Sequence, residues 1–272
     1  MADAPHYVMG QTDEERQRLI QQSAYLEPLT ELMLREAGLK PGMSVLDIGC
    51  GTGGSSHVAA RLVGPTGRVV GLDRDEATLQ VARDLAASVG LKHLTFQCGT
   101  AETVQFAEKV DAVIGRFVLI HQKEPLVIVR QAVPFVREGG IVAFLEPDFS
   151  ARTLSWPRLD TYEAMCGHVH TLFVRAGLPY DMGLRLHRTL HDAGVRSIRL
   201  KIDSIVGGGR GHFMHRWLAS TIGTLAPKLE MLGITTAAAL ELATLEARLE
   251  EEAERSKSHL QMYPLIAAWG RT

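Results

Sequence analysis

The chain has 272 residues, 46% of them hydrophobic, with a formal net charge of −2 and three cysteines. That length supports an elaborated α/β domain with ample core, and the charge balance gives no electrostatic footprint for nucleic acid. Cys50, Cys98 and Cys166 are an odd number without a C-x-x-C pair, which fits reduced thiols better than disulfides or a zinc site. No apolar run approaches the roughly 18 residues of a membrane span, and the opening residues are polar, so a soluble, cytoplasmic protein is expected.

After a short segment around Tyr7, Thr12-Asp13-Glu14-Glu15 has the form of a capping box and should open a helix. Leu19, Ile20, Leu26, Leu29, Leu32 and Met33 give that helix an apolar face. Pro28 is expected to divide or kink it, and Gly38 with Pro41-Gly42 to end it.

Val45-Leu46-Asp47-Ile48-Gly49-Cys50-Gly51-Thr52-Gly53-Gly54 then reads as a buried strand, a glycine-rich turn and the start of a helix that runs on to Val63. Glycines 49, 51 and 54 satisfy the dinucleotide spacing G-x-G-x-x-G, and Asp73 follows at about the distance of a ribose-binding acid, roughly 20 residues on. Asp47 separates the two cofactors that could use such a turn. Its carboxylate lies where a dinucleotide would put its pyrophosphate, and like charges at close range are costly in a partly desolvated site. S-adenosylmethionine (SAM) has no phosphate and carries a sulfonium and an ammonium, so an acid there becomes favourable, either directly or by ordering the loop through its backbone N–H groups.

The run D-x-G-x-G-x-G followed by Asp73 resembles the first motif of the class I SAM-dependent methyltransferases. The resemblance implies a Rossmann-like α/β fold: a seven-stranded, mostly parallel sheet with an antiparallel last strand, plus helical cap elements. It makes residues 1–42 an N-terminal helical cap, with Tyr7 able to reach the methionine moiety, and 43–272 the methyltransferase domain. Gly49, Cys50 and Gly51 become cofactor-loop residues.

Arg68-Val69-Val70-Gly71-Leu72-Asp73 is the second strand. Asp73 at its end, with Arg74 beside it, is positioned for the cofactor ribose, while Asp75 can cap the next helix. Leu79, Ala82, Leu85, Ala86 and Val89 line one face of that helix. Leu94 to Cys98 is the third strand. The family often has an acid at the position of Thr100 to bind the adenine amino group; here Thr100, the backbone of Ala101 or the carboxylate of Glu102 must read the adenine.

The fourth strand, Val110 to Gly115, runs into Arg116-Phe117-Val118-Leu119-Ile120-His121-Gln122, which looks like the family's fourth motif. Arg116 is assigned to the SAM side. His121 is the candidate general base, since its pKa lies near physiological pH. Helix Pro125 to Val136 precedes the fifth strand, Ile141 to Glu146, whose terminal Glu146 faces the same crevice as a candidate substrate contact.

Helices are predicted over Pro157 to Ala176 and Met182 to Ala193 with no strand between them. Val195 to Asp203 alternates as a half-exposed sixth strand, and Gly207 to Gly211 reads as a flexible joint. Helices His212 to Leu232, interrupted at Pro227, and Thr235 to about Ser256 follow, with a last strand at Leu265 to Trp269. Helical insertions therefore fall at about 150–190 and 207–233. Tyr162, His168, Phe173 and Tyr263 are candidate substrate-pocket residues. Six histidines lie between Cys166 and Trp217, but Arg188 follows His187 where H-E-x-x-H has glutamate, so no metal is expected.

"YVMG", "RFVLIHQ", "EPDFS" and "VGGG" are similar to stretches of bacterial small-molecule methyltransferases. The expected activity is therefore methylation, at oxygen, nitrogen or carbon, of a small aromatic or apolar metabolite by a monomer or homodimer. The competing readings are an NAD(P)-dependent oxidoreductase, which the glycine spacing allows, and a non-catalytic SAM-binding regulatory protein.

Overall fold

The computed structural model describes residues 12–104, 108–151 and 154–272; Tyr7 lies outside them. The first helix, α1, spans Asp13–Glu36. Thr12 opens it by accepting the Glu15 N–H on its hydroxyl at 3.2 Å. Pro28 does not break it. The buried face formed by Leu26, Thr30, Met33 and Leu34 outweighs the lost backbone hydrogen bond.

Strands and helices then alternate: β1 (Ser44–Ile48), α2 (Gly54–Val63), β2 (Arg68–Asp73), α3 (Glu76–Ser88), β3 (Leu94–Cys98) and β4 (Val110–Arg116). A 3₁₀ turn at Leu119–His121, α4 (Pro125–Ala132) and β5 (Val136–Pro147) complete the parallel part of the sheet. After β6 (Ser155–Trp156) come α5 (Asp160–Arg175), α6 (Met182–Asp192), β7 (Arg196–Asp203) and β8 (Val206–Gly208). The chain ends with α7 (Phe213–Met231), α8 (Ala237–Leu240), α9 (Leu242–Ser256), β9 (His259–Gln261) and β10 (Leu265–Arg271).

The seven-stranded sheet has the order β3-β2-β1-β4-β5-β10-β7. β1 pairs in parallel with β2 and β4, and β10 runs antiparallel to β5 in the register Leu265↔Pro147 to Arg271↔Ile141. This is the expected mostly parallel sheet. Its strand order reverses between β1 and β4, the place where open α/β sheets hold their ligands. Val45, Leu46, Ala112, Val113, Val142 and Phe144 are buried, as central strands covered on both faces require.

The chain groups into two compact units. One holds Leu19–Pro147, Met182–Ile202 and Leu265–Thr272, and so contains the whole seven-stranded sheet apart from the last residue of β7. The other holds the stretch up to Arg18 with Asp148–Asp181 and Asp203–Pro264. Within the second unit α5, α7 and α9 pack together.

Three features of this second unit go beyond or against expectation. A three-stranded antiparallel sheet in the order β6-β9-β8, which the sequence pattern did not indicate, is present, with no strand between α5 and α6. The proposed glycine joint is partly strand, because Gly207 and Gly208 pair with Leu260 and His259. Pro227 sits inside an unbroken α7, where buried Leu225, Ala226 and Leu229 compensate for the missing N–H.

Candidate active site

The glycine turn is built for close approach. Gly49, Gly51 and Gly53 take φ of 64°, 53° and 83°, the left-handed region in which a side chain is strained. A Cβ on Gly49 would stand 2.8 Å from Val118 Cγ2, and one on Gly53 would stand 2.9 Å from the Phe96 ring. Gly51 differs, since among the described residues the nearest atom to a Cβ built there is Leu19 Cδ1 at 4.0 Å. The turn is therefore packed tightly at its flanks and open at its centre. The Cys50 N–H donates to the Leu72 carbonyl at 2.8 Å, tying the turn to β2, and burial pushes the Cys50 thiol well above its ordinary pKa.

Asp73 fastens the same turn from the end of β2. Its Oδ2 accepts the Gly51 N–H at 3.0 Å and its Oδ1 accepts the Asp75 N–H at 3.0 Å. Burial raises its pKa, and these two hydrogen bonds work against the rise. Asp75 caps α3, taking the Ala77 N–H at 3.1 Å and the Thr78 hydroxyl at 2.5 Å, so Asp73 is not needed as a cap.

Asp47 is fully buried. Its Oδ2 accepts the hydroxyls of Ser55 at 2.7 Å and Ser56 at 2.6 Å, in the first turn of α2. Its Oδ1 has no hydrogen-bond partner among the described residues. Burial raises its pKa to about 6, opposed by the two serine hydroxyls and the Arg116 charge. The carboxylate thus meets α2 through side chains rather than through the loop's backbone N–H groups. The two serines follow the glycines directly in sequence, a signal that composition alone does not single out.

Arg116, at the end of β4, ties α1 to the sheet. Its Nη1 donates to Thr30 Oγ1 at 2.9 Å and its Nη2 to Ser23 Oγ at 2.8 Å. Burial lowers the guanidinium pKa to about 10, with Asp47 and Glu27 pulling it back up, so it is charged at neutral pH. A Cβ on Gly54 would collide with Ser23 Oγ and Arg116 Nη2, which explains why glycine stands where α2 meets this cluster.

Glu146 is fully buried. Its Oε1 accepts the N–H groups of Val118 at 3.0 Å and Leu119 at 2.9 Å, and its Oε2 accepts that of Ile120 at 3.1 Å. Burial raises its pKa to about 7 against those three bonds. Among the described residues it holds the turn that carries His121, whose own N–H donates to the Val118 carbonyl at 3.2 Å.

Thr100 caps a short turn: its N–H donates to Thr103 Oγ1 at 2.9 Å and its carbonyl accepts the Thr103 and Val104 N–H groups. Ala101 is half-buried in that turn, and Glu102 and Arg74 are exposed.

The remaining substrate-pocket candidates lie in the other compact unit. Tyr162 and Tyr263 are buried, and their hydroxyls donate to the carbonyls of Gln261 and Cys166, each at 3.0 Å. Phe173 is also buried and meets the Phe149 ring edge-on at 4.9 Å, as Tyr263 does at 4.4 Å. Phe173 and Tyr263 thus pack on Phe149. His168 is half-buried, and burial lowers its pKa.

The donors suit a phosphate-free nucleoside. The turn is open over Gly51, but its N–H is already engaged by a carboxylate, and the first turn of α2 faces Asp47; a pyrophosphate would meet two negative charges there. A ligand that brings ribose hydroxyls and cationic centres fits the same acids.

A doubly wound sheet with an acid-flanked glycine turn at its switch point is an α/β fold of the methyltransferase type. The chain belongs to the methyltransferase domain family, whose pattern it matches over residues 39–194. It is 34% identical to aklanonic acid methyltransferase DauC of a Streptomyces strain over 113 residues, covering 41% of this chain and 51% of that protein. It is 30% identical to the demethylmenaquinone methyltransferase of Staphylococcus aureus over 134 residues, 49% of this chain and 52% of that protein. The chain thus spans about half the length of these curated relatives. Among solved structures, a SAM-dependent methyltransferase from Aquifex aeolicus shares the fold, with a TM-score of 0.52 at 22% identity over 73% of this chain and 93% of that one. No helix among the described residues is long and apolar enough to cross a membrane.

Proposed function

We propose that the protein transfers a methyl group from SAM to a small aromatic or apolar metabolite. The observation that carries this reading is the glycine turn held by Asp73, with Asp47 beneath α2 at its other end. Family membership supports it, as do two relatives whose names give aklanonic acid and demethylmenaquinone as their acceptors. Gly49, Cys50 and Gly51 would receive the cofactor's backbone side, Asp73 and Arg74 its ribose, and the turn Thr100-Ala101-Glu102 its adenine. Arg116 would act by holding α1 to the sheet beside the turn, and its charge would favour a carboxylate.

Bound SAM would supply a sulfonium methyl group that a nucleophile attacks in line, the C–S bond breaking and the sulfur leaving as a neutral thioether. The protein's part is to hold the reactants in line and to exclude water. His121, at the end of the Glu146-held turn, is the group that would take a proton from a hydroxyl acceptor. A nitrogen or carbon acceptor would need no base before transfer.

The test is titration calorimetry with S-adenosylhomocysteine (SAH) and with NADH, followed by incubation with methyl-labelled SAM and pooled metabolite extracts. Binding of SAH alone, with label appearing in an extractable small molecule, is expected. Binding of NADH without SAH would overturn the reading. SAH binding with no labelled product from any extract would favour a non-catalytic SAM-binding protein.

A further inference from the structure

The turn after β4 presents six consecutive backbone N–H groups, and each has an acceptor. Phe117 donates to the Leu145 carbonyl at 2.9 Å, Val118, Leu119 and Ile120 donate to Glu146, His121 donates to Val118 and Gln122 to Leu119. Leu119 and Ile120 are buried, so water cannot substitute for Glu146. Phe117 takes φ of 58°, a conformation that a bulky residue adopts only when its surroundings enforce it. Val118, gripped through its N–H, sets its side chain against the Cα of Gly49, close enough to exclude any Cβ there. The carboxylate is thus linked by one turn and one side chain to the glycine loop.

We infer that Glu146 is a positioning residue: by clamping the 118–120 turn it seats Val118 on Gly49 and sets the shape of the cofactor loop. This rests on the SAM reading of that loop. It also replaces the expectation that Glu146 touches substrate, because the carboxylate is fully buried beneath the turn and accepts three N–H groups there. The same clamp fixes the backbone that carries His121.

Glu146→Gln tests the clamp. Its amide oxygen can serve Val118 and Leu119, but its NH₂ would face the Ile120 N–H, donor against donor. SAH affinity is expected to fall about tenfold in protein that circular dichroism shows to be folded. A residue that merely stabilised the fold would lower the melting temperature and leave the affinity of the folded molecules unchanged. Val118→Ala should weaken SAH about threefold, and the double variant should be no weaker than Glu146→Gln alone, since both act through one contact. Wild-type affinity within twofold for folded Glu146→Gln, or additive losses in the double variant, would overturn the inference.

If Glu146→Gln fails to fold, Val118→Ala and hydrogen exchange decide. The inference then requires weakened SAH binding by Val118→Ala, together with Val118, Leu119 and Ile120 amides that exchange as slowly as the β4–β5 core. Normal binding or fast exchange would reject it. Failure of the wild type to bind SAH would instead sink the functional reading, while the protection of these amides would still report the clamp.

Discussion

Replacing Asp47 by asparagine should separate what this acid does for stability from what it does for binding. The carboxyl is fully buried and its pKa is raised from 3.8 to about 6. Between those values the unfolded chain has released this proton and the folded protein still holds it, so the folded state binds more protons and stability falls as pH rises. The favourable contribution is complete below about pH 4 and gone above about pH 6–7. A shift of about two units at roughly 1.4 kcal/mol each gives about 3 kcal/mol over that window.

The amide of Asp47→Asn would not titrate. It would serve Ser55 and Ser56 through one oxygen and bury an unpartnered NH₂, a constant offset of about 1–2 kcal/mol that does not depend on pH. The diagnostic is therefore the slope. Relative to wild type, the variant should gain about 2–3 kcal/mol between pH 4 and 7, or about 4–12 °C in melting temperature by scanning calorimetry. Glu146 titrates in both proteins and cancels from the difference. SAM affinity should fall about tenfold at pH 7.5, and that of SAH, which lacks the sulfonium charge, by less. A melting-temperature difference that stays within about 1 °C from pH 4.5 to 7.5 would refute the argument, because the buried carboxyl would then not be titrating where its surroundings require.

Asp73→Ala should weaken SAH binding by about 1.5–3 kcal/mol, through loss of ribose hydrogen bonds and release of the Gly51 N–H; unchanged affinity in calorimetry would remove Asp73 from the ribose site. Gly51→Val should abolish SAH binding in a folded protein, since a branched side chain would both strain φ of 53° and fill the open face of the turn; a folded variant that binds normally would contradict the loop assignment. Once an acceptor is known, His121→Ala should lower turnover roughly 10²–10⁴-fold if that acceptor is a hydroxyl, with the loss shrinking at high pH. A loss under about threefold would point to nitrogen or carbon, where positioning alone suffices.

The sheet and its glycine turn were legible because their signals are local. Strand, glycines and acid lie within one short run, and Asp73 ends the next strand, so topology alone brings it to the turn. The small sheet was not legible. Ser155–Trp156 and Val206–Gly208 are too short to carry an alternating pattern, and their partner β9 lies far along the chain. The two prolines misled for a related reason: local propensity argues for a break at Pro28 and Pro227, while burial of the surrounding face holds each helix together. Aromatic residues gave the weakest guidance. Residue type alone does not separate pocket lining from core, and Tyr162, Phe173 and Tyr263 are all buried, with the two hydroxyls on backbone carbonyls. Val118 could not be found at all from sequence, since an ordinary valine becomes significant only through its contact with Gly49.

Asp47 and Glu146 end strands on either side of β4, and both are acids whose ionised forms are disfavoured by burial. Burial works against both charges, so what they contribute must be sought in geometry and in ligand binding. Asp47 keeps one oxygen without a partner and sets a negative charge at the start of α2, which disfavours phosphate and favours a cation. Glu146 needs its charge for a different reason, because only an ionised carboxylate can accept three N–H groups without presenting a donor to any of them. Both effects converge on the glycine turn, one from beneath α2 and the other through Val118. Binding of a cationic nucleoside would lower the cost of Asp47 and leave that of Glu146 unchanged. The pKa of Asp47 should therefore drop on SAM binding while that of Glu146 stays, a difference readable by carboxyl NMR. A matching drop at Glu146 would mean that its carboxylate faces the ligand directly.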